Sequence, residues 1–574
     1  MQNQLCRELE INVDENPCDP IGAGVLPPPA LKFYNIMAAP GLDGKWNLRN
    51  AQFLTPAQVD GWIIVSVTED FGVRECDELA REMRTTLQGH GLVCREGVYS
   101  EPYVYEWAWV EGVYGEPHVY KWAWVEGVYG EPHVYEWAWV EGVYDESHVY
   151  EWAWVEGVGV EPHVYEWAWV ESVGGEPHVY EWAWVEGVYG EPHVYEWVWV
   201  EGVYFEPHVY EWAWVEAEPS VAVGFQESLD DALLRACRPF QTCRPDLIFV
   251  VEGSSGQWKD VKRFGMTNDI VTQCCLVKNA RRATEPRGGQ VRSNLALKIN
   301  SKLGGTNWVP GVRQGENVLR PFILGSTTML LGIDVTHPTG ESSGATSVAA
   351  VVGSVDDNQS IYASHIFCPD NDAEEVLTRE GLNEALTKLV DHYKERHHGH
   401  APERFILFRD GISQGQVQEV LENEKDGIKR ALDELCPMGH KLAIISLQKR
   451  HRVRLFLDHN NKKTNPVPGL LVDQDITFPG VDNFFINPHV PLQGTARPMH
   501  ATCLWDEIGI TSELLRLVTY YECYSLGSST TSISQSTPAR LAHHAAYLGQ
   551  QLRAAGANMR DIREMNSTNL MHFL

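Results

Sequence analysis

Two aspartates stand at the ends of apolar runs in the second half of this 574-residue chain. TMLLGIDVTHP carries Asp334 at the close of one predicted strand, and RFILFRDGIS carries Asp410 at the close of another. An acid at a strand end often only caps a turn. Two of them in one α/β layer read differently, because open α/β sheets place their sites at the carboxyl ends of the strands. Paired carboxylates are the ligand type for Mg²⁺, which prefers oxygen and keeps positions open for phosphate. Two metal ions clamped this way align a water for in-line attack on a phosphodiester and stabilise the leaving oxygen.

The elements that must position these acids are legible around them. SVAAVVGSV, SIYASHIF and KLAIISLQKR read as further core strands, and AEEVLTREGLNEALTKLVDHYKER as a long helix. Nearer the amino terminus, KWNLRNAQF leads into WIIVSV, an apolar run that predicts a buried strand. ECDELAREMRTTLQGHG follows as an amphipathic helix ended by glycine. Later, DDALLRACR reads as helix and LIFVVEG as strand. Strand and helix alternate throughout, which predicts the α/β class.

Eight copies of a 15-residue unit, GVYGEPHVYEWAWVE and close variants, fill residues 97–216 without a gap. The block holds 16 of the 21 tryptophans and −23 of the formal −32 charge, so whole-chain statistics mislead. Within HVYEWAWVE residues alternate, which predicts a strand of about nine residues followed by a Gly/Pro turn of about six. Such units can stack as a meander or a solenoid. Near-identical copies and the lack of distinct capping repeats favour a recent expansion without a refined fold, strand-like or disordered. The flanking segments read as one domain that the block interrupts.

Outside the repeats the charge balance is nearly ordinary, so acidity does not exclude a nucleic-acid partner. Twelve cysteines include no CxxC pair, which points to reduced thiols in the cytosol. The opening MQNQLCRELE lacks the pattern of a signal peptide, and runs such as LAIISL and FILF are far short of a membrane span. The expectation is a cytoplasmic protein, with a nuclear pool compatible, and no membrane partner.

Longer motifs carry a resemblance. GIDVTHP, SVAAVVGSVD, FRDGISQGQ, QKRHRVRLF, QGTARPMHATCLWDE and the terminal MHFL are similar to the PIWI domain of eukaryotic Argonautes. KDVKRFG, TQCCLVKN and NLALKINSKLGG resemble the MID domain, and GVLPPPALKF with GKWNLRNAQF the second linker. The order agrees over about 450 residues, and the repeats have no counterpart in the family. The chain resembles the carboxy-terminal half of a fungal Argonaute, without the amino-terminal and PAZ domains. The resemblance implies a linker-2 remnant at 1–43, a Rossmann-like MID domain split into 44–96 and 217–318 by the repeats at 97–216, and an RNase H-like PIWI domain at 319–574.

The family's catalytic tetrad maps onto Asp334, Asp410 and His543 of TPARLAHHAAY, with the glutamate in PDNDAEEVL. Ungapped spacing selects Glu374, and the apolar pair that should follow selects Glu375. Asp334, Asp410 and His543 are the implied ligands of Mg²⁺ (or Mn²⁺). Lys262, Gln273, Lys298 and Lys302 match the residues that hold the guide's 5′ phosphate, and Trp258 the aromatic that stacks on its first base. Lysines and an amide suit a terminal phosphate through charge-assisted hydrogen bonds. Lys449, Arg450 and Arg454 match a basic stretch along the guide backbone, where contacts position RNA without reading its sequence.

Three positions depart from the pattern. Ser528, Thr531 and Leu548 stand where the family has arginines. Each lost charged hydrogen bond should weaken phosphate binding by roughly 1.5–3 kcal/mol. The expected function is guide-RNA binding with guide-directed cleavage of target RNA in RNA silencing. The alternatives are a non-cleaving module that holds guide RNA or partners, and a non-functional fragment. Implied partners are a small guide RNA, its target RNA and tryptophan-bearing silencing proteins.

Overall fold

The structure is a computed structural model. It describes residues 23–94 except 60 and 69, the strand backbones of the repeats between 107 and 209, residue 233, and 245–574 except 254–255, 312–326, 338–346, 369–376, 413, 460–461, 555, 558–561 and 563–570. Among the described residues no helix is long and apolar enough to cross a membrane.

A small parallel sheet forms from β1 (Trp62–Ser66), β2 (Leu247–Glu252) and β3 (Val271–Leu276), with β2 in the middle. Every residue of β2 is buried, as a central parallel strand covered on both faces requires. Trp62 pairs with Leu247 although the repeats lie between them in sequence. Four helices surround this sheet: α1 (Val73–Gly89), α2 (Trp258–Asn268), α3 (Val277–Thr284) and α4 (Gly289–Lys302). The Glu75 carboxylate accepts the Gly72 N–H at 3.0 Å and so satisfies one free donor at the start of α1. Arg281 from α3 donates to the same carboxylate at 2.7 Å, which ties the two helices together.

The larger sheet has nine strands. Its order is Ala23–Val25, β9 (Leu470–Val472), β10 (Asn483–Asn487), β11 (Met499–Asp506), β8 (Lys441–Gln448), β7 (Arg404–Asp410), β4 (Thr328–Thr336), β5 (Val348–Ser354) and β6 (Tyr362–Phe367). The central strands β4, β7 and β8 run parallel, and β5, β6 and β11 are antiparallel to their neighbours. Met329, Leu330, Leu331 and Ile333 of β4 are at most 1% exposed. Burying side chains of this size stabilises by roughly 1.5–3 kcal/mol each. On one face lie α5 (Arg379–Arg396), capped by the Thr378 hydroxyl, and α6 (Glu424–Leu435).

After α7 (Ser512–Tyr521), the helix α8 (Thr537–Ala554) packs across β4 and β5. Its approach depends on Gly332. A Cβ built there would stand 2.1 Å from the Pro538 carbonyl oxygen, so only glycine admits the helix at this depth.

Among the described residues, the repeats form two sheets of seven parallel strands each. One uses two-residue strands such as His118–Val119, the other five-residue strands such as Trp122–Glu126, so a solenoid-like stack replaces the single nine-residue strand expected. The physical reason is direction. A meander would make neighbouring strands antiparallel, whereas these pair in parallel and in register 15 residues apart.

Candidate active site and phosphate pocket

Ile333 of β4 pairs with Arg409 of β7, so the next residues on these parallel strands, Asp334 and Asp410, stand side by side. Asp334 is 6% exposed. His543 reaches it from α8, and its Nδ1 donates to Asp334 Oδ2 at 2.8 Å. Gly332, two residues before Asp334, leaves the room that lets α8 lie this close to β4. The structure therefore brings together three of the expected site residues. Glu374 and Glu375 lie outside the described residues.

Charge is only partly compensated here. Burial pushes the Asp410 carboxyl above its ordinary range, and the neighbouring Asp334 charge pushes it further. Lys449 and the Gly411 N–H, which donates to Asp410 Oδ1 at 2.9 Å, work in the opposite direction. Burial holds Lys449 below the usual lysine range while the Asp410 charge resists, and its ammonium donates to Ser534 and Gln535. Burial likewise lowers His544, to about 3, so this neighbour stays neutral at ordinary pH. Of these two neighbouring histidines, His543 is the one bonded to Asp334 among the described residues.

Two supporting residues escaped the sequence reading. Arg409, 1% exposed, donates to both oxygens of Glu424 at 3.0 Å and to the Asp410 carbonyl at 2.6 Å. Glu424 Oε1 also accepts the Leu377 N–H at 2.9 Å, immediately after the segment that carries Glu374 and Glu375. One buried carboxylate thus fastens the Asp410 strand to the chain that follows the expected glutamate. Glu424 opens a helix, where an acid ordinarily reads as a favourable partner of the helix dipole. Arg540, one turn before His543, faces the two aspartates through their charges and was also missed. Its spacing of three from His543 was the only available signal.

A second cluster lies between α2, β3 and α4. Lys302 donates to Gln273 Oε1 at 2.8 Å and to the Thr272 carbonyl at 2.9 Å. Lys262 donates to the main-chain oxygens of His572 and Leu574 at 2.8 and 3.2 Å. Both lysines are buried, and burial lowers both below the ordinary lysine range. Lys298 lies one turn before Lys302, with its side chain exposed. Trp258 stacks on Tyr547 of α8, with ring centroids 6.2 Å apart and planes at 14°. The expected pocket residues are gathered, but two lysines already bond to the chain itself.

The basic stretch divides. Lys449 turns toward Asp410, and Arg450 is exposed. Arg454 folds back onto the carbonyls of His451 and Val453 at 2.9 and 2.7 Å. Leu548 is 3% exposed and packs in the core, so an apolar contact occupies the position where an arginine was expected.

The metal question turns on the donor set. Asp334 and Asp410 supply adjacent carboxylates whose mutual repulsion a divalent cation relieves, and His543 stands against one of them, an oxygen-rich set of the kind Mg²⁺ or Mn²⁺ takes. Among the described residues, no three such ligands are gathered around one point.

A model of the Piwi domain matches residues 247–553, more than half of the chain. The argonaute MEL1 of Oryza sativa subsp. japonica is 34% identical over 327 residues, covering 52% of this chain and 30% of that protein. Argonaute 7 of Arabidopsis thaliana is 36% identical over 311 residues, 53% of this chain and 30% of its own length. The chain thus spans about a third of the length of the curated relatives it matches. Among solved structures, the carboxy-terminal lobe of a budding yeast Argonaute superposes with a TM-score of 0.64 at 18% identity, covering 96% of this chain and 95% of that one. Kluyveromyces polysporus Argonaute with a guide RNA gives 0.64 at 18% identity, and Drosophila Piwi 0.60 at 16%, each covering 96% of this chain and 56% of its own. At these identities the superpositions speak to the fold alone, which is the RNase H-like α/β fold of the large sheet. The sequence match carries the rest: this chain belongs to the Piwi domain family.

Proposed function

We propose that this chain binds a 5′-phosphorylated guide RNA and cleaves target RNA paired to it. The observation that carries the reading is the juxtaposition of Asp334 and Asp410 on adjacent parallel strands, with His543 at 2.8 Å from Asp334. Asp334, Asp410 and His543, with Glu374 or Glu375, would hold Mg²⁺ or Mn²⁺. When bound, such ions activate a water and stabilise the leaving oxygen of a phosphodiester. Around them, His543 fixes the orientation of Asp334. The Arg409–Glu424 pair holds the backbone of Asp410. Lys449 and Arg540 supply positive charge beside the carboxylates, where a phosphate backbone must pass. Guide pairing would provide sequence selection, so no base-reading groove is required of the protein. The test is single-turnover cleavage of a labelled target in the presence of a 5′-phosphorylated guide and Mg²⁺, with Asp334→Asn as the control. Cleavage that is absent from the unaltered chain, or unchanged in the variant, sinks the reading.

A second reading is favoured by a specific observation. Lys262 and Lys302 are bonded within the chain, and Leu548 is buried where the family has an arginine. On this reading the chain holds guide RNA weakly and does not cut. It expects equal affinity for 5′-phosphorylated and 5′-hydroxyl guides in a filter-binding assay. The first reading expects a clear preference for the phosphate.

A further inference from the structure

Given that the chain binds guide RNA, a reading on which this one rests, we propose that Tyr547 stacks on the nucleobase at the 5′ end of the bound strand. Tyr547 is then the open outer ring of an aromatic pair whose inner ring is Trp258.

Trp258 is the residue expected to take that base, and its surroundings argue against a direct contact. It opens α2, is partly buried and packs against the hydrophobic core. Tyr547 of α8 lies over it, with ring centroids 6.2 Å apart and planes at 14°. Near-parallel rings at that separation form an offset stack. A planar base held between them would need two contact separations of about 3.5 Å each, or about 7 Å in all. The pair is too close to admit one.

The open aromatic surface belongs to Tyr547. It is 45% exposed, while Ala545, Ala546 and Leu548 around it on α8 are buried. Trp258 behind the ring restrains it, so stacking a base costs little further side-chain freedom. A base on the outer face continues the stack as a third layer, and every base has a π face to offer.

The charge nearby selects the occupant. His544 stands one turn before Tyr547 on α8. Burial lowers its proton affinity first, and the charges of Arg540, His543 and Lys298 lower it further. The Lys298 side chain, which is exposed, thus lies beside this stretch of the helix. An aromatic face next to an exposed ammonium suits a planar group that carries a phosphate, which is what a terminal nucleotide is. An aromatic side chain of a protein partner would use the face and leave the ammonium unanswered.

Equilibrium binding of short 5′-phosphorylated RNA to the full chain tests the proposal, with the first nucleotide either intact or abasic. In the parent chain the base should tighten binding by about tenfold or more. Tyr547→Phe keeps the ring and should keep that ratio. Tyr547→Leu keeps apolar volume against Trp258 but loses the π face. It should remove most of the ratio while melting within about 2 °C of the parent. 2-Aminopurine at the first position should be quenched on binding to the parent and to Tyr547→Phe, and far less on binding to Tyr547→Leu. A ratio and quench that Tyr547→Leu leaves intact overturn the proposal. So does a parent chain that binds abasic and intact RNA equally. A chain that binds neither overturns the guide-binding reading and this one together. Equal affinity for 5′-phosphate and 5′-hydroxyl RNA, with a base ratio that still depends on Tyr547, would overturn the phosphate preference and support the stack.

Discussion

The carboxylates at the ends of β4 and β7 and the lysines between α2 and α4 hold like charges in opposite states. Asp334 and Asp410 stand together with their charge partly unanswered, and burial, followed by the Asp334 charge, raises the proton affinity of Asp410. Lys262 and Lys302 are also buried, but each already gives two of its three donors to oxygens of the chain. The first arrangement leaves a favourable place for an opposite charge. In the second, a ligand competes with hydrogen bonds the lysines already make. Inside one fold, then, gathering the right residues does not by itself make a ready site; what matters is whether their bonds remain to be made.

The sharpest break in this comparison comes from the carboxylate side. Asp334→Asn should reduce cleavage of a guide-paired target roughly 10³-fold, the scale seen when one group is removed from a preorganised polar site. Guide affinity measured alongside should stay within about twofold, because the lysine pocket is separate. If binding falls with cleavage, the two sites are not independent. The next effect is structural. Glu424→Ala leaves the Arg409 charge buried without its partner and should cost about 3–5 kcal/mol in urea unfolding. A loss below about 1 kcal/mol would place the pair among solvated surface bridges.

On the lysine side, Lys302→Ala should weaken preference for a 5′ phosphate by roughly tenfold, the lower end of what one charged hydrogen bond contributes. No change would mean that Lys302 serves Gln273 and Thr272 alone. The smallest effect is a gain. Asp410 has its folded-state proton affinity raised by burial and by Asp334, so ionising it destabilises the fold. That stability is present below the ordinary carboxylate range and is lost as pH rises through the raised value. Asp410→Asn should therefore melt about 2 °C higher than the parent at neutral pH without metal. The two should converge in acid, where both are neutral. A variant that melts lower at neutral pH would show that the Gly411 and Lys449 contacts outweigh the repulsion.

How far the sequence reached depends on what each feature required. Asp334 and Asp410 were visible because apolar runs end on them, and strand ends are where α/β sheets put chemistry. His543 lies on a helix 209 residues from Asp334, and only the longer resemblance singled it out from His544. Glu424 was invisible because its role depends on Arg409 and Leu377, which come from a different strand and a different loop. The internal bonds of Lys262 and Lys302 were missed for a related reason. A lysine at helical spacing looks the same whether its ammonium meets solvent or the carbonyl of a distant residue. In the repeats the alternation predicted one nine-residue strand per copy, where a five-residue and a two-residue strand stand. Alternation is blind to strand direction, however, and direction separates a meander from the parallel stack observed.

The bare spot at Gly332 has a consequence for how such a centre decays. Pro538 rests on it, and five residues further along α8 comes His543. A single methyl group at position 332 would push the helix off its seat and draw the imidazole away from Asp334. Every acid and base would still be present and spelled correctly in the gene. A descendant of this protein can therefore fall silent while its motif reads as intact, and an inventory of catalytic letters would count it among the living.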